Sequence, residues 1–200
     1  IMSVLPVHHT YELMCLLAAS LFGMEVCIND SLRHVLKNLQ VFKPTGLVLV
    51  PLFLNTMYKK IWAEAKKSGR DKKLKLGITA ARSLHAIGID KRRDLFAEVL
   101  NSFGGRLEKI ICGGAALNQN IIDFFESIGI VILNGYGITE CAPLIGYSPW
   151  ESFKLGSCGR AVDNVEVRID STDAAKVVGE IQVKGPFVMN GYYKNDEATS

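Results

Sequence analysis

The chain has 200 residues, of which 48% are hydrophobic and 22% are charged, and its formal net charge is +3. This composition is typical of a globular protein with a sizeable core, arranged as one large domain or as one domain and part of another. So small a net charge gives no argument for a nucleic-acid partner, and we expect none.

The chain starts abruptly inside an apolar phrase, so we expect a piece of a longer protein. Residues 4–5 are predicted to end a strand, and residues 11–22 to form a buried helix that stops at Gly23. The uncharged stretch at residues 13–24 is only about a dozen residues long. A membrane-spanning helix needs about 20 residues, so a buried core helix is expected there instead.

The next part of the chain alternates predicted strands and helices. Strands are predicted at residues 24–28 and 46–50, joined by a helix that Ser31 caps and that ends near Gln40. The continuous apolar run at residues 46–50 is typical of a parallel sheet covered on both faces. Residues 53–65 carry apolar side chains at helical spacing and lysines on the other face, which predicts an amphipathic helix.

The alternation continues through the middle of the chain. Helices are predicted at residues 71–84 and 90–103, followed by a strand at residues 107–112. Asn118 is placed to cap a helix that ends at residue 127, and an apolar strand follows at residues 130–133. Single strands separated by helices favour parallel strand pairing.

Beyond about residue 148 the pattern changes to strands alone. Residues 165–169 and 179–184 alternate apolar and polar side chains between turn residues, which predicts half-exposed antiparallel strands. We therefore predict an α/β fold with a mostly parallel sheet flanked by helices, followed by a small antiparallel β subdomain. The α/β subdomain is assigned to residues 1–147, and a partial β subdomain to residues 148–200.

The cysteine pattern favours a reducing, cytoplasmic location. The five cysteines are odd in number, show no CxxC spacing and lie partly within apolar runs; they are Cys15, Cys27, Cys112, Cys141 and Cys158. Reduced and mostly buried thiols fit this pattern better than a disulfide framework does.

Two loops carry the residues best suited to binding a ligand. The first follows the strand at residues 107–112, and the second is the segment at residues 134–140, which follows the next strand. If the two strands are parallel, both loops leave the same edge of the sheet, which is where open α/β sheets bind ligands. Gly113 and Gly114 allow a flat base to approach the backbone, although alone they also fit a plain strand-to-helix turn.

The segment at residues 134–140 offers the groups that a nucleotide needs. The Tyr136 ring is suited to stacking on a base, and the Asn134 amide to bonding the edge of that base. The Thr139 hydroxyl is suited to donating to a phosphate oxygen. Together these groups predict a nucleotide site.

Other known phosphate-binding motifs do not match this chain. It contains no GxxxxGK[ST] loop, and the GxGxxG pattern begun by Gly135 and Gly137 breaks because Glu140 stands at the third glycine position. A carboxylate there repels a pyrophosphate unless a cation lies between them. Mg²⁺ typically binds one or two carboxylates together with substrate phosphates, so Glu140 favours a metal–nucleotide site over a dinucleotide site.

Five separated motifs resemble the AMP-forming acyl-CoA synthetases of the adenylate-forming superfamily. They lie at residues 113–115, 136–140, 159–160, 179–186 and 191–193, and residues 5–9 are similar to that family's Leu-Pro-x-x-His segment. The motifs occur in order and span essentially the whole chain. Within the superfamily, the chain looks most like the bacterial long-chain fatty acid–CoA ligases.

The resemblance implies a two-step reaction with fatty acid, ATP and coenzyme A as partners and Mg²⁺ as the cation. The carboxylate attacks the α-phosphate of ATP to give an acyl-adenylate and pyrophosphate, and coenzyme A then displaces AMP. Matching positions imply that Thr139 bonds the α-phosphate and that Glu140 binds Mg²⁺, both as catalytic residues. The residues assigned to the nucleotide are Gly113, Gly114, Ala115, Asn134, Gly135, Tyr136, Gly137 and Thr139. Gly146, Tyr147 and the apolar residues around Leu144 are expected to wall the acyl pocket.

His9 is the third candidate catalytic residue. In the family, the histidine of this segment lies near the acyl carboxylate and gates the pocket. The alternative is that His9 caps the helix that follows it. A metal site formed by His8 and His9 is disfavoured, because adjacent side chains diverge and no third ligand is evident.

Basic side chains gather between residues 59 and 75, and a smaller group follows at residues 91–93. A solvated helix face explains them. The alternative is attraction to an anionic membrane surface, where acyl substrates partition. Peripheral membrane contact is therefore kept as an expectation beside a purely cytoplasmic location.

The family pattern is incomplete in this chain. The family's Ser/Thr/Gly-rich phosphate loop is expected before Ile1, and its ribose-binding aspartate and small mobile C-terminal domain after Ser200. We therefore expect the isolated 200 residues to form no acyl-adenylate. Two alternatives stay open for the full-length protein: an adenylating enzyme that loads a carrier-protein thiol, and a non-enzymatic nucleotide-binding module.

Overall fold

A computed structural model describes residues 1–149 and 157–199 of the chain. The described strands are β1 (Met2–Ser3), β2 (Cys27–Ile28), β3 (Gly46–Leu49), β4 (Lys109–Cys112), β5 (Val131–Gly137), β6 (Leu144–Tyr147), β7 (Arg160–Ala161), β8 (Glu166–Asp170) and β9 (Glu180–Lys184). The first seven form one sheet with the spatial order β2-β1-β3-β4-β5-β6-β7, and β8 pairs with β9 in a second sheet.

The pairing of the main sheet changes from parallel to antiparallel along its width. Strands β1 to β5 pair in parallel, whereas β6 and β7 add to the β5 side in antiparallel order. The second sheet is antiparallel. The predicted α/β fold, with a mostly parallel sheet and a small antiparallel unit after it, is confirmed. Strand β7 belongs by sequence to residues 148–200 but pairs with the main sheet, and the division at residue 147 stays a prediction.

The helices connect the strands of the main sheet, except for the last one, which follows β9. They are α1 (Thr10–Leu21), α2 (Val35–Phe42), α3 (Pro51–Lys67), α4 (Asp71–Ala86), α5 (Arg92–Leu95), α6 (Ala97–Asn101), α7 (Gln119–Ser127) and α8 (Asp196–Thr199). Short 3-10 helices lie at Leu32–His34 and Thr139–Cys141. Asn118 caps α7 as predicted, because its side-chain oxygen accepts a hydrogen bond of 2.9 Å from the backbone N–H of Asn120.

Several element boundaries differ from those predicted. The helix predicted to start at Ser31 begins instead as a 3-10 turn, with the Ser31 hydroxyl accepting from the N–H of Arg33. The single helix predicted at residues 90–103 is broken at Phe96, whose φ is −112° and ψ is 22°. Phe96 is only 4% exposed, so the break places an aromatic ring in the core. Tertiary packing overrides local helical periodicity here.

Strand β5 is the boundary difference that matters for the site. It was predicted to end at Leu133, yet it continues through Gly137. The antiparallel strand β6 supplies the reason, since it pairs Gly135 with Tyr147 and Tyr136 with Gly146. Most of the second predicted loop is therefore strand, and its side chains alternate between the two faces of the sheet.

One face of the main sheet is covered by helices α3, α4 and α7. Ile110 and Ile132 point into this layer and are 0% and 2% exposed. The Tyr58 ring of α3 meets the Phe124 ring of α7 edge-on, with centroids 5.1 Å apart. Such an aromatic contact adds about 0.5–1.5 kcal/mol to the burial of the two rings. This packed layer holds strands β3 to β5 in place behind the site.

Helix α1 lies on the other face, and the prediction that it is buried is wrong. Only Glu12, Cys15 and Ala19 of this helix are buried. Leu17 and Leu21 are 58% and 87% exposed, because the apolar residues of α1 surround the helix while only one side of it meets the sheet. Among the residues that the structure describes, no helix combines the length and apolar character needed to cross a membrane.

Candidate functional site

The structure brings the two predicted loops together at the carboxyl ends of β4 and β5. These strands pair in parallel register, with Cys112 opposite Asn134. One residue further on, a Cβ placed on Gly113 would lie 3.0 Å from the carbonyl oxygen of Gly135. A side chain at this position would require the neighbouring backbone to shift by a few tenths of an ångström, and glycine avoids that shift. The backbone of the first loop therefore packs directly against the backbone of the second segment.

The remaining residues of the first loop face solvent. Gly114, Ala115 and Ala116 are exposed. Gly114 has a φ of +84°, a backbone conformation that favours glycine, and the nearest atom to a Cβ placed on it would be 3.8 Å away. Val50 Cγ1 is that nearest atom, at an ordinary van der Waals distance, and the exposure of Gly114 leaves it accessible to a ligand.

The second segment divides into a strand and a turn. Asn134, Gly135, Tyr136 and Gly137 are half-buried in β5. The alternation of the strand places Asn134 and Tyr136 on one face and Gly135 on the other, and the register with β6 shifts between Tyr136 and Gly137. The 3-10 turn that follows leaves Thr139 exposed at the surface. The structure thus keeps the predicted base-side and phosphate-side residues at one edge of the sheet.

Glu140 is held by a residue that the sequence did not assign to the site. The Tyr192 hydroxyl donates a hydrogen bond of 2.6 Å to Glu140 Oε1. A second contact fixes the same position, since the Met189 N–H donates to the backbone oxygen of Glu140 at 2.8 Å. The hydrogen bond from Tyr192 lowers the pKa of the Glu140 carboxyl, and that carboxylate raises the pKa of the Tyr192 hydroxyl. Glu140 is therefore an anchored, ionised carboxylate.

This carboxylate suits a magnesium ion that arrives with a nucleotide. Within the described residues, no group of three or more His, Cys, Asp or Glu side chains forms a cage for an ion. Mg²⁺ rarely uses an all-protein cage and is usually bound by one or two carboxylates, substrate phosphates and water. The Glu140 carboxylate, as a single ionised ligand beside the exposed Thr139, fits this pattern.

His9 is exposed and caps helix α1. Its Nδ1 accepts a hydrogen bond of 3.2 Å from the backbone N–H of Tyr11. His9 therefore has the alternative role, that of a helix cap. His8 is also exposed. A role for His9 toward the acyl carboxylate stays a prediction, and it is compatible with the cap because Nε2 is not engaged in it.

Tyr11 joins helix α1 to the site and was not predicted. Its hydroxyl lies 3.3 Å from the carbonyl oxygen of Leu49 and 3.1 Å from that of Ile111, at the ends of β3 and β4. Burial raises the pKa of Tyr11 far above its usual value, so the hydroxyl remains a neutral donor. The Tyr11 ring lies 3.7 Å from the position of a Cβ on Gly113. Its only sequence signal is its place next to the His9 segment.

A cavity of about 950 Å³ lies between helix α1 and the sheet and reaches the second segment. Its apolar wall includes Met14, Ile111, Leu133 and Leu144, and its lining also includes Asn134. The apolar wall arises because β4 and β5 direct alternate side chains away from the α3–α4–α7 layer.

Leu144 and Tyr147, both from the part of the chain expected to wall an acyl pocket, line this cavity. Gly146 is not among the lining residues, and its place at an acyl pocket stays a prediction. Gly146 lies between paired strands, where a Cβ would be 3.0 Å from the carbonyl oxygen of Arg160. Its small size serves strand packing rather than cavity shape.

Comparison with known proteins relates this arrangement to a family. The family model described as AMP-binding enzyme matches residues 1–193. The chain is 26% identical to the long-chain-fatty-acid–CoA ligase FadD15 of Mycobacterium bovis, over 98% of this chain and 34% of that protein. It is 27% identical to the chloroplastic long-chain-fatty-acid–[acyl-carrier-protein] ligase AEE15 of Arabidopsis thaliana, over 99% of this chain and 33% of that protein.

A solved structure shares the fold. The structure of O-succinylbenzoate coenzyme A synthetase from Bacillus subtilis in complex with ATP and magnesium ion superposes with a TM-score of 0.64 at 22% identity, covering 99% of this chain and 35% of that one. The chain spans about a third of the length of the curated relatives described above.

Proposed function

Because this chain belongs to the AMP-binding enzyme family, whose model matches residues 1–193, we propose that its full-length protein is an ATP-dependent long-chain fatty acid–CoA ligase. The proposed reaction converts a fatty carboxylate and ATP into an acyl-adenylate and pyrophosphate, and then transfers the acyl group to the thiol of coenzyme A with release of AMP. The similarity to the ligase FadD15 supports this choice of substrates.

One observation carries the proposal. The cavity of about 950 Å³ and the nucleotide segment share a wall, because Asn134 and Gly135 line the cavity while belonging to β5 beside the Gly113 loop. A ligase of this class must place an apolar acyl chain and a polar nucleotide end to end. An apolar cavity that opens at a nucleotide edge provides both environments at one junction.

Each residue at this junction has a separate role in the adenylation step. Tyr136 stacks on the adenine, Asn134 bonds its edge, and Thr139 donates to the α-phosphate, where negative charge accumulates as the carboxylate attacks. Glu140 holds the cation, and Mg²⁺ when bound supplies charge neutralisation on the phosphates and orients them. Positioning and charge stabilisation of this kind account for most of the catalysis in phosphoryl and related nucleotidyl transfers.

A second acceptor is kept as an alternative. The similarity to the acyl-carrier-protein ligase AEE15 is as high as that to FadD15, at 27% and 26% identity. The second half-reaction therefore uses either the coenzyme A thiol, as proposed, or the thiol of a carrier protein. An assay of thioester formation with each thiol separates these two functions.

The first half-reaction is tested by pyrophosphate exchange in the full-length protein. We expect exchange to depend on added carboxylate and to be fastest with long-chain fatty acids in a series of graded length. Glu140→Gln should lower the exchange rate about 10²–10³-fold, the range that mutagenesis gives for removing one preorganised electrostatic group. The affinity for ATP should fall much less. A protein that binds ATP but shows no carboxylate-dependent exchange would instead be a nucleotide-binding module.

A further inference from the structure

The hydrogen bond between Tyr192 and Glu140 joins two parts of the chain that are far apart in sequence. Glu140 lies in the 3-10 turn after β5, whereas Tyr192 lies between β9 and α8. The hydroxyl-to-carboxylate distance of 2.6 Å is that of a charge-assisted hydrogen bond. Within the part of the chain that the structure describes, Tyr192 engages Oε1 of Glu140 and leaves Oε2 available to a ligand.

The backbone of Tyr192 is itself held in place by its neighbours. Its N–H donates to Thr199 Oγ1 at 2.9 Å, and the Thr199 hydroxyl lies 2.7 Å from the carbonyl oxygen of Asn195. A Cβ placed on Gly191 would lie 2.6 Å from Thr199 Cγ2, so the chain before Tyr192 packs against the same threonine. These contacts fix the backbone of Tyr192, and so they fix the position from which its side chain reaches Glu140.

A second contact joins the same two regions. The N–H of Met189, three residues before Tyr192, donates to the backbone oxygen of Glu140 at 2.8 Å. The main chain and the side chain of Glu140 are thus both held by the segment that ends in α8. By contrast, the neighbouring Tyr193 is 88% exposed, and the Lys194 ammonium lies 5.3 Å from its ring centroid.

We propose that Tyr192 is a positioning residue that orients the Glu140 carboxylate toward the cation of the bound nucleotide. This inference rests on the proposed function. A hydrogen bond to a metal-binding carboxylate fixes the rotation of that group, and removing such a partner typically weakens metal binding or activity about 10–100-fold. Tyr192→Phe deletes the hydroxyl and keeps the ring, so it removes the orientation without removing the packing.

The test is the affinity of the full-length protein for ATP, measured by titration calorimetry without any carboxylate substrate. Each protein is titrated once with excess Mg²⁺ and once with EDTA. For Tyr192→Phe we expect the Kd for ATP to rise about tenfold in Mg²⁺. We expect no change in EDTA, because Tyr192 acts on the nucleotide only through the cation. Tyr193→Phe is the matched control and should bind like the wild type under both conditions.

Two results would overturn the inference: no loss of affinity in Mg²⁺, or an equal loss in Mg²⁺ and in EDTA, which indicates general damage to the fold. Glu140→Gln supplies a second check, since adding Tyr192→Phe to it should produce no further loss. If the wild-type protein has the same Kd for ATP in Mg²⁺ and in EDTA, both this inference and the metal role of Glu140 are overturned. Mg²⁺-dependent binding without carboxylate-dependent pyrophosphate exchange would overturn the proposed function alone.

Discussion

The carbonyl oxygen of Pro143 lies only 1.7 Å from the position that a Cβ on Gly137 would occupy. The turn after β5 folds back onto the strand so tightly that no side chain fits between them. This contact sets the direction in which the chain leaves β5, and so it decides where Thr139 and Glu140 lie. Gly137 was predicted from sequence as part of a nucleotide loop. In the structure, packing of the turn against the strand requires a glycine at this position.

Gly137→Ala should destabilise the protein because the new methyl group collides with backbone that cannot rotate away. We expect the free energy of unfolding to fall by about 3 kcal/mol, at the upper end for overpacking. Thermal unfolding of the full-length protein measures this. Gly46→Ala is the control, since its Cβ would meet nothing closer than 3.6 Å. Equal midpoints for the two variants would show that the turn can move aside.

Tyr136→Ala should weaken AMP binding because the ring is assigned to stack on the adenine. Base stacking on an aromatic side chain contributes about 1–3 kcal/mol, so the Kd should rise roughly tenfold or more. Tyr136→Phe keeps the ring and should bind AMP nearly as well as the wild type. The measurement is a titration of the full-length protein with AMP. Unchanged affinity in the alanine variant would remove Tyr136 from the adenine site.

The thiols should differ in reactivity according to burial. Burial raises the pKa of Cys15 and of Cys112 to about 12 each, so both remain protonated through neutral and mildly alkaline pH. Cys158 is exposed. In native protein treated with iodoacetamide at pH 8, mass spectrometry should find Cys158 labelled first, with Cys15 and Cys112 labelled only after unfolding. Labelling of Cys112 at the rate of Cys158 would contradict the packing of β4.

Binding to anionic vesicles tests the membrane expectation. Lys66, Lys67, Lys72 and Lys73 are all exposed, at the end of α3 and the start of α4. Each lysine near an anionic surface contributes about 1 kcal/mol, so reversing all four to Glu should lower vesicle affinity more than tenfold, and added salt should do the same. Lys184→Glu, which alters an exposed lysine of β9, is the control. If neither added salt nor the charge reversal changes vesicle binding in a sedimentation assay, the membrane expectation is contradicted and the lysines are a solvated helix face.

The alternation of elements was readable from sequence because it depends on local patterns. The apolar runs at β3 and at the start of β5 predict buried strands, and Asn118 marks the start of α7 through capping chemistry. The break at Phe96 and the extension of β5 were not readable, because each depends on a partner distant in sequence. A helix breaks where a ring must enter the core, and a strand continues where another strand pairs with it.

The candidate site divides in the same way. The residue types at positions 113–115 and 134–140 are sufficient to predict a nucleotide site, because stacking, hydrogen bonding and metal binding each require particular functional groups. Tyr192 and Glu140 are 52 residues apart in sequence, so local sequence patterns could not predict their hydrogen bond. Tyr11 was hidden likewise, since its two carbonyl contacts lie on strands that come later in the chain.

The sequence by itself thus determined the fold class, the family and the chemical groups of the candidate nucleotide site, since these follow from side-chain type and local order. The tertiary structure alone decided how those residues are held: Gly113 against Gly135, Gly137 against Pro143, and Tyr192 on Glu140. The reason is physical. Side-chain chemistry belongs to each residue separately, whereas close approach and orientation exist only after distant segments have packed.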